Sequence, residues 1–317
     1  QKVQKEKPWL LAVDSGDLFF KFSPESDGEK ALMKAKIIAR AYRLMGVTAV
    51  NVGCLDLLQG LDFLRQESAQ GLPLLSANLL DPSTKAPIFP PYSIKEVEGV
   101  RIAFMGVLPQ ESGPEIRPAI RAANQGKILI GDPVEATKAA VQKIQGKADL
   151  IILLSDLGLH KDQLLAKAVP GIHFILGGHE GRFTRKGVQT GMTHIFQSSF
   201  KGMYVGELRL VLEDRNKPFK DEGELQYLQE RIDSLDLHIR SLQAAKMRKP
   251  AGEGVNYDRN IQAATRQREA AQEDLKRAKE SGMRGNRFLF RLEALEKVLP
   301  ENEKVKNWIS GAGIEKD

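Results

Sequence analysis

The sequence predicts an α/β fold with a mostly buried sheet, followed by a pair of long helices. Short apolar runs such as Leu150–Leu154 and Ile172–Leu176, bounded by polar or Gly-rich turns, read as strands buried on both faces. Stretches of helical spacing alternate with such runs along the chain, which is the order of a layered α/β domain. From Glu213 the composition changes, and apolar residues repeat at alternating spacings of three and four.

Taken in order, Gln1–Lys7 is a charged lead-in. Trp9–Val13 is a strand that stops at the carboxylate-rich turn Asp14-Ser15-Gly16-Asp17. Lys30–Met45 places Leu32, Ala35, Ile38, Ala39, Tyr42 and Met45 at helical spacing and ends at Gly46, a natural C-cap. Val47–Val52 is the next strand and runs into Gly53-Cys54-Leu55-Asp56. Leu58–Gln66 reads as a short helix, and Leu74–Ala77 as a strand before Asn78. Tyr92–Val97 and Val100–Gly106 alternate in strand fashion around Glu98-Gly99, a hairpin turn. Pro109–Gly131, polar and rich in Pro and Gly, reads as loop. Asp132 as N-cap with Pro133 behind it begins a helix that runs to Gln145. The run to Leu154 ends in Ser155-Asp156, Lys161–Ala168 reads as a crossover helix, and the run to Leu176 ends in Gly177-Gly178-His179-Glu180. Thr193–Phe196 and Tyr204–Leu212 finish this part as strands.

Leu225, Leu228, Ile232, Leu235, Ile239 and Leu242 then form an a/d seam. Lys249–Asn256, with Pro250, Gly252 and Gly254, breaks it. Ile261, Ala264, Arg268, Ala271, Leu275 and Ala278 resume it with one charge. The pattern predicts an antiparallel coiled-coil hairpin, whose Ala-rich second helix leaves room for a protein partner or self-association. Phe288–Leu292 reads as a strand returning to the main body, and Leu292–Leu299 and Val305–Ile309 as short helices. The expected domains are residues 1–212, 213–285 and 286–317.

Composition narrows the function. The 317 residues are 42% hydrophobic, as in a soluble globular protein, and no run has the apolar length of a membrane helix. The net charge of +6 comes from Lys and Arg scattered among acids, with no dense basic block, so nucleic acid is not an expected partner. There is one cysteine, Cys54, which excludes an intramolecular disulfide, a Cys-rich zinc site and a CxxCH haem attachment. The chain opens on Gln1 rather than Met and reads as processed or partial, which is compatible with a cleaved signal peptide.

Several strand ends present groups that can bind a metal: Asp17, Cys54 with Asp56, Asp156, and His179 with Glu180. In an open α/β sheet the carboxyl ends of strands are where ligands sit, and carboxylate, thiolate and imidazole from separate loops are what a divalent cation needs. Each residue alone has an ordinary structural explanation; their placement at successive strand ends is the signal. Cys54 has a second reading, as a redox thiol. Neighbouring Asp17, Asp56 and Asp156 oppose that reading when no metal is present, because negative charge suppresses thiolate. His160 and His173 lie in the same stretch and are not taken as ligands.

The segments VDSGDLFF, MGVTAVNVGCLDLLQGLDFL, LPLLSANLLD, RIAFMGVLP, ADLIILLSDLGLHKD, VPGIHFILGGHEGR and FQSSFKGMYVGELRLVL resemble the catalytic domain of 5′-nucleotidases, which are calcineurin-like metallophosphoesterases. The resemblance covers about residues 8–212. It implies a four-layer α/β/β/α sandwich in which two metals flank a bridging carboxylate and activate water against a phosphate ester. Residue by residue, the family's GD aspartate matches Asp17. Its GNHE motif matches Gly53-Cys54-Leu55-Asp56, so a ligand Asn is Cys54 and the catalytic His is Leu55. The SHLG His is Asp156. His179 keeps the first His of GHxH, and the second is Gly181. The opening DxH motif is missing, and Gln1–Lys7 resembles the helix that follows it.

The resemblance thus implies that of one metal's ligands only Asp17 remains, whereas the other metal's set reads Asp17, Cys54, Asp156 and His179, all competent donors. The expectation is one divalent metal, zinc or iron given the thiolate, with Asp56 and Glu180 as acid–base candidates. The expected activity is a weak or altered hydrolysis of nucleotides or other phosphoesters, in a protein exported to the periplasm or cell envelope. The competing expectations are a non-catalytic scaffold that binds a protein through the hairpin, and a Cys54-based redox protein.

Overall fold

The computed structural model describes residues 9–22, 28–111, 113–114, 116–180, 184, 186–198, 202–215, 217–248, 255–281, 284–295 and 300–314. The expected lead-in Gln1–Lys7, Gly181 and the break at 249–254 lie outside them. Two compact units are present: residues 1–206 with 292–317, and residues 207–291.

The first unit holds two main sheets and a short two-stranded one among the described residues. β1 (Val13–Asp14), β2 (Ala49–Asn51) and β3 (Leu74–Leu75) form a parallel sheet in the order β1-β2-β3. Between them run α1 (Gly28–Met45), a 3-10 turn (Leu55–Gln59) and α2 (Leu61–Ala69). A short antiparallel pair follows, β4 (Leu79–Leu80) with a later strand. The larger sheet contains β5 (Tyr92–Val97), β6 (Val100–Val107), β8 (Leu150–Ser155), β9 (Phe174–Gly177), β10 (Val188–Thr190) and β11 (Thr193–Gln197). Its order is β10-β11-β9-β8-β6-β5, with the four inner strands parallel and an antiparallel strand at each edge. Connecting elements are α3 (Ile116–Asn124), β7 (Leu129–Ile130), which pairs with β4, α4 (Pro133–Ile144) and α5 (Leu159–Ala168).

Local chemistry explains these elements. α1 buries Ala35 and Ala39, side chains small enough to let the helix sit close on its sheet. Asp132 caps α4 by accepting from the Val134 and Glu135 N–H groups at 2.7 and 3.0 Å. The β5–β6 hairpin turns on Glu98 and Gly99, both at positive φ, as a two-residue turn requires. One core cluster joins the smaller sheet to α1 and α2, with Val50, Leu57, Leu64 and Phe63; another joins the larger sheet to α4 and α5, with Leu153, Ile175, Ile144 and Leu165. The two sheets pack on each other through β2 and β3 against β6 and β8. Asn51 joins them, its Nδ2 donating to the Ser15 and Val107 carbonyls at 2.8 Å each. Four layers result, as the resemblance implied.

The second unit takes in most of a sheet formed by β12 (Tyr204–Val211), β13 (Lys220–Asp221) and β14 (Arg287–Ala294) in the order β12-β14-β13. Its helices are α6 (Glu224–Met247) and α7 (Val255–Ser281). Leu228 and Ile232 pack on Ala271 and Leu275, Arg268 pairs with Asp236 at 3.1 Å, and Lys246 pairs with Asp258 at 2.5 Å. Partners climb one helix as they descend the other, so the hairpin is antiparallel.

Three expectations are corrected. The helix placed at Leu58–Gln66 is a 3-10 turn and then α2, separated by Gly60 at φ +84°. The stretch Pro109–Gly131 is not all loop, because Ile116 and Ile120 pack α3 into the first core cluster. The strand expected at Phe288 is β14, which pairs with β13 and with β12, the strand that closes the stretch read from sequence as the main body. Leu292–Ala294 belong to that strand and not to a helix; residues 296–299 lie outside the described residues. The last helix, α8 (Glu303–Gly311), docks on α1, where Arg40 lies 3.7 Å over the Trp308 ring.

Candidate metal centre

The carboxyl ends of β1, β2, β8 and β9 bring Asp17, Cys54, Asp156 and His179 to one place. Each offers one ligand atom, and these atoms all lie within 4.8 Å of one another. His179 Nδ1 is 3.2 Å from Asp156 Oδ1, 3.6 Å from Asp17 Oδ2 and 4.0 Å from Cys54 Sγ.

Main-chain donors orient the carboxylates. Asp17 Oδ1 accepts from the Leu55 N–H at 2.7 Å, and Asp156 Oδ2 accepts from the Cys54 N–H at 2.7 Å. Each carboxylate therefore has one oxygen tied back and the other turned toward His179. Asp17 and His179 both have positive φ, +57° and +78°. Aspartate and histidine tolerate that region better than most residues, but two such positions at one point are conformations that the surrounding structure must hold in place. The loops carrying Asp17 and Cys54 also touch so closely that only glycine fits at Gly53, where a Cβ would stand 2.2 Å from the Asp17 nitrogen.

Asp56 holds these two loops together. Its Oδ2 accepts from the Asp17 and Gly53 N–H groups at 3.0 and 2.9 Å, and its Oδ1 from Phe19 at 2.9 Å. Burial, and then the charge of Asp17, push its carboxyl well above the ordinary range, against those hydrogen bonds. A proton on either oxygen would face a backbone N–H, so the three donors favour the carboxylate. Asp56, read from sequence as an acid–base candidate, is thus committed to the backbone and is not brought into the cluster. Glu180, the other candidate, is exposed and lies against Gly158 at the start of α5, outside the four-donor group. His173 lies apart, its Nδ1 accepting from the Ile151 N–H at 3.1 Å. His160 is exposed at the first turn of α5.

The electrostatics are those of a site that calls for a cation. Hydrogen bonds to Asp156, Asp17 and Cys54 raise the His179 imidazole far above its ordinary range, so in the metal-free protein it supplies the positive charge. Burial pushes the Cys54 thiol up to about 12, and Asp156 is raised by the same cause. Carboxylate, thiol and imidazole donors turned toward one point fit a divalent metal, which would also deprotonate the thiol.

The chain is 26% identical over 265 residues to the 2′,3′-cyclic-nucleotide 2′-phosphodiesterase/3′-nucleotidase of Salmonella typhimurium, a match covering 72% of this chain and 39% of that protein. It is 27% identical over 195 residues to the 5′-nucleotidase of Rattus norvegicus, covering 59% of this chain and 32% of that one. The calcineurin-like phosphoesterase YfkN of Bacillus subtilis shares the fold with a TM-score of 0.61 at 19% identity, over 99% of this chain and 85% of that chain. The chain is a divergent relative of the 5′-nucleotidase-like metallophosphoesterases. No protein-family model matches it. It spans well under half the length of these curated relatives.

Within this metallophosphoesterase fold, sequence reasoning missed the polar groups behind the strand ends. Ser155 Oγ donates to Asp162 Oδ1 at 2.5 Å and accepts from the Leu157 N–H at 3.1 Å, fixing the loop that carries Asp156. Tyr42 OH donates to Asp14 Oδ2 at 2.7 Å. The available signal for Asp162 was its place on the apolar stripe of α5 with Leu165 and Ala166.

Proposed function

We propose that this chain is a metal-dependent phosphoesterase of the 5′-nucleotidase type with a remodelled site that works with one metal ion. The observation that carries the reading is the convergence of Asp17, Cys54, Asp156 and His179, donors from four separate loops turned toward one point. The thiolate favours zinc or iron over magnesium or calcium. When bound, such an ion polarises a phosphoryl oxygen and acidifies a water.

The chain's own groups set the limits of the reaction. Asp17 and Asp156 are held in register by the Leu55 and Cys54 N–H groups, and they fix where an incoming phosphate would meet the donors. Leu55 can neither give nor take a proton, and Asp56 is occupied by backbone donors, so neither position supplies the general acid–base help that is worth roughly 10²–10⁴-fold. Glu180, exposed at the rim, is the remaining candidate for proton transfer. Hydrolysis should therefore be slow. Nucleotides are the first substrates to try, other phosphoesters the second, and the periplasm or cell envelope is the proposed location. Among the described residues no helix is long and apolar enough to cross a membrane.

One observation favours a second reading, a non-catalytic scaffold working through the α6–α7 hairpin. Four protein donors can close the coordination shell of a zinc ion, whereas catalytic zinc keeps a position open. The test is elemental analysis of untagged protein never exposed to chelator, beside Cys54→Ala, followed by a phosphoester screen. About one zinc or iron per chain, lost in Cys54→Ala, together with metal-dependent turnover supports the enzyme. Metal without turnover supports the scaffold, and two metals or none overturn the proposed site.

A further inference from the structure

Behind the strand ends, away from the four donors, lie three buried polar atoms that have no hydrogen-bond partner among the described residues: Asp162 Oδ2 and both amide atoms of Gln197, Oε1 and Nε2. Asp162 is 0% exposed and Gln197 2%. Both lie beside the same residue, Gly177. A Cβ on Gly177 would fall 2.7 Å from Asp162 Oδ2 and 3.4 Å from Gln197 Nε2. A buried polar group without a partner costs about 1–3 kcal/mol, so three such atoms on facing side chains call for a common partner.

We propose that the three atoms share a solvent site between α5, β9 and β11, in which one or two buried water molecules bridge Asp162 Oδ2 to the Gln197 amide. The chemistry selects water over the alternatives. Gln197 Oε1 needs a donor and Nε2 an acceptor, while Asp162 Oδ2 takes a donor as carboxylate and can offer one as carboxylic acid; water serves every one of these. A cation would serve the two oxygens and leave Nε2 facing positive charge. A direct bond, from Nε2 to Oδ2 or from a protonated Oδ2 to Oε1, would leave the other Gln197 amide atom unpaired.

The site has a structural consequence. Asp162 Oδ1 is bound by Ser155, the residue before Asp156, and the Asp162 N–H donates to the Gly158 carbonyl at 2.9 Å. Gln197 belongs to β11, which pairs with β9 through Gln197 and Gly177, two residues before His179. Bridging solvent therefore ties the loop of Asp156 to the strand that delivers His179, and makes Asp162 and Gln197 positioning residues.

A crystal structure of the intact chain at a resolution that orders solvent tests this. The expected result is a peak about 2.7–3.2 Å from Asp162 Oδ2 and from a Gln197 amide atom. A dry pocket, a direct Asp162–Gln197 hydrogen bond, or an ion ringed by oxygens at about 2.3–2.6 Å overturns it. Thermal unfolding of Gln197→Leu gives an independent sign. If water fills the pocket, the variant strands it against Asp162 and Tm falls. If the pocket is dry, the variant removes two unpaired polar atoms and Tm rises, which overturns the proposal.

Discussion

The backbone N–H of Leu55 donates to Asp17 Oδ1 at 2.7 Å. The bond orients a candidate ligand and asks nothing of the Leu55 side chain, which packs at the edge of the first core cluster. Position 55 thus keeps its main-chain duty while offering no proton chemistry. Leu55→His should leave the fold and metal content unchanged and, under the phosphoesterase reading, raise turnover of an aryl phosphate by about a hundredfold or more. Unchanged turnover in a folded, metal-loaded variant would count against hydrolysis at this site.

Asp56→Asn should destabilise the protein. An amide offers one acceptor where the carboxylate now serves Asp17, Gly53 and Phe19, and its NH₂ would oppose a buried backbone N–H. The expected loss is about 1–3 kcal/mol in urea unfolding of the metal-free protein, with an unchanged m-value. Metal affinity should fall with it, since Asp56 holds the loops of two candidate ligands.

Cys54 should be inert in the metal-free, folded protein. Its thiol is pushed up to about 12, chiefly by burial, so at pH 8 almost none is thiolate. Iodoacetamide should modify the urea-unfolded chain readily and the native chain hardly at all. Rapid native alkylation would revive the redox reading that this burial opposes.

Ile232→Ala tests the second unit. Ile232 is buried in the hairpin seam with Leu228, Ala271 and Leu275. Its truncation should cost about 2–4 kcal/mol of that unit's stability, read by hydrogen exchange in α6 and α7. Metal content should stay as in the unaltered chain.

The fold was legible where chemistry was local. Apolar runs at Leu150 and Ile172, the Asp132-Pro133 start and the seam from Leu225 announce their elements without help from the rest of the chain. The stretch 109–131 did not, because Ile116 and Ile120 become meaningful only against the 3-10 turn that they cover. For the site, residue type at strand ends pointed to Asp17, Cys54, Asp156 and His179, which the fold does gather. The same reasoning could not separate Asp56 from them. Its role is decided by the N–H groups of Asp17 and Phe19 in the loop after β1, together with that of Gly53 in its own loop, and the first two are a long-range fact absent from spacing. Asp162 and Gln197 were hidden for the same reason.

Asp162 also gives the protein a pH signature. Burial raises its carboxyl from an ordinary 3.8 to about 7, against the Ser155 hydrogen bond. Between those values the folded state holds a proton that the unfolded chain has released, so this group's contribution to stability declines as pH rises and levels off above about 7. Asp162→Asn has no such proton. The difference in unfolding free energy, unaltered protein minus variant, should fall by an amount on the order of a few kcal/mol from pH 5 to pH 8 in the metal-free state. Urea titrations at several pH values would measure it, and a difference that is flat or grows with pH would show that Asp162 is ionised in the folded protein throughout.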